Sequence, residues 1–158
     1  MNRFFAMVVS VFFAGQAWAQ DDRYEGYYYP QVETEETFDR VVRSSQGANK
    51  AVRIDFVNVL TSAQLSAPES PRFVFFTKGS DAKTLILVAL DDEVFSSKYR
   101  ARAILAQLTV SVRKGGFFRQ EDLQYLVTFY DLLQLMAFDE LIVSDGEDWA
   151  HRVNFVRE

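Results

Sequence analysis

Two uninterrupted apolar runs, Phe73-Val74-Phe75-Phe76 and Leu85-Ile86-Leu87-Val88-Ala89-Leu90, constrain this chain more than any other feature. Both have strand length and strand composition, and both are too short for a helix. The link between them, Lys78-Gly79-Ser80-Asp81-Ala82-Lys83, is rich in turn formers. The segments Arg72 to Lys78 and Thr84 to Leu90 are therefore expected to pair as an antiparallel hairpin. A strand that is apolar at consecutive positions has no wet side, so it lies centrally in a sheet or is covered on both faces.

The downstream sequence supplies the cover. From Ser97 to Arg113, Ala101, Leu105, Leu108 and Val112 recur at helical spacing on one stripe, and Lys114-Gly115-Gly116 ends the run. A second helix is expected from Glu121 to Phe138. It has two apolar stripes, Leu123/Leu126/Val127/Tyr130/Leu133 and Tyr125/Phe129/Leu132/Met136. Its polar line is narrow, Glu121, Gln124, Thr128 and Asp131, which makes it the most buried helix. The C-terminus reads as a hairpin in which Glu140 to Ser144 and Asp148 to Val156 flank the Asp145-Gly146-Glu147 turn. In its last strand Trp149, His151, Val153 and Phe155 alternate with Ala150, Arg152, Asn154 and Val156, giving one buried and one wet face.

Upstream, Thr34 reads as an N-cap. Glu35 and Glu36 fall in the first turn, Phe38, Val41 and Val42 share one face, and Gly47 closes a short helix. Val52 to Gln64 shows partial alternation and reads as a strand. The expected order is α, β, β, β, α, α, β, β. This defines a single α+β domain from 34 to 158, a largely antiparallel sheet of about five strands under two long helices and one short N-terminal helix.

The first 19 residues divide into a basic start (Met1, Asn2, Arg3), an apolar run from Phe4 to Gly15, and a small-residue ending, Ala17-Trp18-Ala19. This is the grammar of a cleavable secretory signal. The run spans roughly 18 Å as a helix against the ~30 Å of a bilayer core, so it is short for a permanent anchor. Cleavage is expected before Gln20, leaving 139 of the 158 residues and no stable membrane insertion. The signal carries Arg3 and no acid, so the mature chain has 16 basic and 22 acidic residues, a formal charge of −6. That balance disfavours nucleic acid and anionic lipid as partners. The chain has no cysteine, which excludes disulfides, thiolate metal sites and a cysteine nucleophile. An exported domain without cysteine is expected in a bacterial periplasm.

Residues 20 to 33 form an acidic, tyrosine-rich arm, Asp21-Asp22-Arg23-Tyr24-Glu25-Gly26-Tyr27-Tyr28-Tyr29-Pro30, and glycine and proline argue for an extended path. Tyr27, Tyr28 and Tyr29 are candidate partner contacts, because tyrosine is enriched at interfaces; the other reading packs them on the domain itself. Arg100 and Arg102, with Arg113 and Lys114, give the first long helix a basic side that suits a carboxylate or an acidic segment, or else pairs with Asp91, Asp92 and Glu93. His151, the one histidine, reads as a satisfied core residue with an acid-base role as the alternative. Asp91-Asp92-Glu93 and Asp145-Gly146-Glu147-Asp148 contain calcium-type ligands without calcium-loop spacing and read as turns. If they share a sheet end, they offer paired carboxylates.

Three segments, Phe73 to Asp92, Tyr99 to Thr109 and Leu141 to Gly146, together with Gly26-Tyr27-Tyr28-Tyr29-Pro30, carry a resemblance. The chain resembles a family of uncharacterised secreted bacterial proteins, mostly alphaproteobacterial, some labelled molybdopterin-guanine dinucleotide biosynthesis protein A. Enzymes of that name open on a glycine-rich loop, L-A-G-G-x-S-x-R-M-G, for which this sequence has no counterpart. Its one glycine pair, Gly115-Gly116, precedes Phe117-Phe118 and reads as a helix stop. The resemblance implies secretion and brings no catalytic motif. The residues point first to a non-enzymatic periplasmic accessory or binding protein that recognises another protein or an envelope component, with no cofactor, metal site or catalytic residue assigned. The alternatives are a small-ligand binder with an aromatic pocket and a carboxylate-dependent hydrolase.

Overall fold

The computed structural model describes residues 29–114 and 127–157. The expected signal, Tyr27, Tyr28, the Gly115-Gly116 stop and the Glu121 to Leu126 part of the second long helix lie outside the described residues. The elements run β1 (Thr34–Phe38), α1 (Lys50–Leu65), β2 (Phe73–Lys78), β3 (Thr84–Ala89), α2 (Lys98–Arg113), α3 (Phe129–Leu135), β4 (Glu140–Ser144) and β5 (Ala150–Phe155). The strands form one sheet in the order β1-β5-β4-β3-β2.

The chain is an α+β protein, and its sheet is mixed rather than largely antiparallel. The hairpins β2/β3 and β4/β5 are antiparallel, as the turn signals require. β3/β4 and β1/β5 are parallel, because the connection through α2 and α3 and the long path from β1 to β5 return the chain in the same direction. β3 is the central apolar strand expected: Leu85, Ile86 and Leu87 are fully buried. β2 is equally apolar but stands at an edge.

Two segments take the opposite structure to that expected. Val52 to Gln64 is not a strand but most of α1, capped by Asn49, whose side chain accepts from the Val52 N–H at 3.1 Å. Its inward residues, Arg53, Phe56, Val57, Leu60, Thr61 and Gln64, follow helical spacing. That face outweighs the strand propensity of Val52, Ile54, Val57 and Val59. Thr34 to Phe38 is not the start of a short N-terminal helix but strand β1, with Glu36 and Phe38 turned inward and Gly47 preceding α1. Pairing with β5 overrides the local capping pattern.

The second long helix is also revised within the described residues. Val127 and Thr128 are non-helical, and Thr128 caps α3 in a reciprocal capping box with Asp131. Asp131, expected on the narrow polar line, is buried, and so is Gln134. Asp131 pairs with Arg40 at 3.3 Å, and the Gln134 side chain accepts from the Val42 N–H at 2.8 Å.

All three helices of the described residues cover one face of the sheet. Val57 from α1, Ala101, Ile104 and Leu105 from α2, and Phe129 and Leu133 from α3 meet Leu85, Leu87, Leu141, Val143, Val153 and Phe155. On the other face the chain's own upstream segment supplies the cover, as Tyr29 and Val32 pack on Ile86, Ile142 and Ala150.

Candidate functional site

β1 and α2 bring together two candidates that sequence reasoning kept apart, Arg102 and His151, through a third residue it placed in a helix, Glu36. β1 pairs with β5 so that Thr34 lies opposite His151 and Glu36 opposite Val153, which puts Thr34, Glu36 and His151 on the helix-covered face. Ser97 caps α2 through the Arg100 N–H and starts the helix there. That start sets Lys98 and Arg102, four residues apart, over β1.

The charges converge on one carboxylate oxygen. Lys98 Nζ lies 2.8 Å and Arg102 Nη2 2.7 Å from Glu36 Oε2, and His151 Nε2 lies 3.6 Å from Oε1. Burial pushes the Glu36 carboxyl up, but hydrogen bonds from Lys98 and Arg102, with the charges of Arg102 and His151, outweigh it and hold the pKa at about 2. Glu36 is thus a fixed anion and a poor proton donor.

His151 is buried, and its ring stacks on Trp149 at 6.1 Å. Thr34 meets Nδ1 with its hydroxyl oxygen at 2.8 Å and its carbonyl oxygen at 3.0 Å, while Nε2 has no hydrogen-bond partner. A neutral ring faces a conflict in either tautomer: a lone pair meets the Glu36 carboxylate or the Thr34 carbonyl. The ionised ring would satisfy both, but burial opposes it more strongly than Glu36 favours it, and the pKa falls below 6.5.

A groove of about 420 Å³ opens beside this cluster, lined by Glu36, Thr37, Phe38, Arg102, Leu105 and Tyr130 among others. Phe38, Tyr130 and Phe155 form an edge-to-face triad, with centroids 5.0 to 6.3 Å apart. Burial, aided by the Glu36 charge and opposed by Arg102, raises the Tyr130 phenol to about 12, so the groove presents a neutral hydroxyl.

The other sequence candidates are used internally. Tyr29 is buried, with Lys78 Nζ donating to its hydroxyl at 3.4 Å. Arg100 turns away from the groove to the Glu93 carbonyl and carboxylate at 2.7 and 3.1 Å. Arg113 donates to the Val127 carbonyl at 2.9 Å. The two acidic turns do follow the same sheet end, since β3 and β4 are parallel neighbours. Asp91 faces Arg72 at 3.7 Å, and the Asp145 carboxylate accepts the N–H groups of Glu147, Asp148 and Trp149 at 3.0 to 3.2 Å. Among the described residues no cluster of three or more His, Asp or Glu side chains is arranged to hold a metal ion.

The fold and site define an α+β domain with a charged cluster tying an edge strand to a helix. No family model, curated protein or solved structure matches the chain.

Proposed function

We propose that this chain is an exported, periplasmic, non-enzymatic binding protein, and that it recognises an acidic extended segment of another protein or envelope component in the groove between β1 and α2. One observation carries the reading: Lys98 and Arg102 share a single oxygen of Glu36, which leaves surplus positive charge beside an edge strand in an acidic protein. Arg102 stays half-exposed, so its guanidinium is accessible to a second carboxylate. An edge strand is a template for one more strand, and an apolar wall such as Phe38, Leu105 and Tyr130 reads alternate side chains. The locked Glu36 and the buried, neutral His151 support an anchoring role for the cluster rather than proton transfer. The N-terminal signal grammar supports export, and no helix among the described residues is long and apolar enough to cross a membrane.

Capture from periplasmic extract tests the reading. A protein retained by the wild-type chain should be lost to the Lys98→Gln/Arg102→Gln variant and kept by Arg72→Gln, with both variants folded. Equal capture by all three would remove the groove from recognition. Intact mass of the recovered chain should place its first residue at or next to Gln20, and His151→Gln should complement a deletion of the native gene.

A further inference from the structure

We propose that a second cleft, between the 41–48 segment and the turn joining α3 to β4, binds a small organic carboxylate. The cleft holds about 400 Å³, and the cations Arg43, Arg53, Lys83 and Arg157 line it with no carboxylate among the lining residues. Asp139, outside the lining, is shared between Lys83 and Arg157, so the wall keeps a positive surplus. In a chain of net charge −5 this is a local reversal of sign.

Arg53 gives the cleft its built character. It is 3% exposed, and among the described residues no acid pairs with it. Its Nε and Nη2 donate to the Asp81 carbonyl at 3.0 and 2.8 Å, and Nη1 donates to the Met136 carbonyl at 3.2 Å. Each of these carbonyls precedes an alanine in left-handed backbone, Ala82 (φ 53) and Ala137 (φ 57). Neutral carbonyls fix the guanidinium without cancelling its charge. They take three of its five N–H groups, which leaves two to meet an anion. A planar carboxylate matches that fork. Val42, Phe138 and Phe155 add apolar lining, which suits a ligand with a short hydrocarbon body rather than a bare inorganic anion. This site shares no lining residue with the β1–α2 groove and is independent of the function proposed for it.

Calorimetric titration of the full chain with hexanoate, 1-hexanol and inorganic phosphate tests the site. Hexanoate should bind with one-to-one stoichiometry, and 1-hexanol and phosphate should each bind at least about tenfold more weakly, the scale of one charge-assisted hydrogen bond or a few buried methylenes. Arg43→Gln/Lys83→Gln removes two cleft cations and one half-exposed ion pair, Lys83–Asp139, and should weaken hexanoate by about tenfold with little change in melting temperature. Arg53→Lys, which keeps the charge and loses the fork, should weaken it as well. Absence of hexanoate binding, equal binding of 1-hexanol or phosphate, or undiminished affinity in the Arg43→Gln/Lys83→Gln variant would overturn the proposal.

Discussion

Glu36 concentrates more of this molecule's electrostatics than any other described residue, because it is the shared partner of Lys98, Arg102 and His151. Its carboxyl titrates near 2 in the folded chain against 4.5 for the free group. A lowered folded pKa contributes stability that is complete above about 4.5 and is lost as pH falls towards 2. The shift corresponds to about 3 kcal/mol at neutral pH, an upper figure for a group with some solvent contact. Glu36→Gln should therefore lower unfolding stability at pH 7 by about 2 to 3 kcal/mol and flatten the acid limb of the stability profile between 4.5 and 2. Urea titrations across that range read both effects; an unchanged acid limb would show that the cluster does not tie β1 to α2. His151 adds a separate step. Its folded pKa is also lowered, so the unfolded chain takes up the proton first, and stability falls as pH drops through 6.5. His151→Gln should remove that higher step alone. At the alkaline end Tyr130, raised to about 12, makes stability complete below pH 10 and lost between 10 and 12.

Among the elements, the β4–β5 hairpin is the one whose local chemistry specifies it most fully. Gly146 has φ +86, and a Cβ there would stand 3.1 Å from Val88 Cγ1. Asp145 accepts three backbone N–H groups, and Ser144 Oγ donates to the Trp149 carbonyl while accepting the Gly146 N–H. Gly146→Ala should cost about 1 to 2 kcal/mol through its left-handed backbone. Asp145→Ala should cost about as much through the N–H groups it leaves to water, and thermal unfolding of the two variants measures both. This hairpin and the β2/β3 hairpin were legible because turn chemistry and apolar pattern agree in each. Where they disagree, the sequence misleads. In α1, Val52, Ile54 and Val59 favour a strand, while Arg53, Phe56, Val57, Leu60 and Gln64 lie on one helical face; thirteen residues is also long for a strand. In β1, Thr34-Glu35-Glu36 imitates a helix start, and only the long-range pairing with β5 decides otherwise. The candidate site was hidden for the same reason. Arg102 and His151 were visible as residue types, but Glu36 and Tyr130 join them only once β1 is a strand. Thr128-Phe129-Tyr130-Asp131 held a capping-box signal that marks the true start of α3.

At the scale of the whole molecule, the described residues protect the two faces of the sheet unequally. Three helices cover one; on the other, Tyr29 and Val32 lie over Ile86 and Ile142, both fully buried at the sheet centre. Tyr29 is 4% exposed, so its ring is a structural wedge although it ends a run of three tyrosines. Removing a buried aromatic ring costs about 3 to 5 kcal/mol when the surroundings collapse little. Val32 packs beside that ring and the Glu33 backbone N–H donates to the Ala150 carbonyl at 3.1 Å, so neighbouring side chains remain in place to refill part of the space. Tyr29→Ser should therefore cost about 2 to 4 kcal/mol and expose Ile86 and Ile142, raising the fluorescence of a bound apolar dye under native conditions. Tyr29→Phe isolates the hydroxyl. The contact from Lys78 is long at 3.4 Å, and the same ammonium lies 5.4 Å from the ring centroid, an attraction that phenylalanine keeps. That variant should stay within about 1 kcal/mol of wild type, with no rise in dye fluorescence. If Tyr29→Ser unfolds at the wild-type urea midpoint, the second face is stable without its wedge, and the upstream segment is held there by something other than burial of this ring.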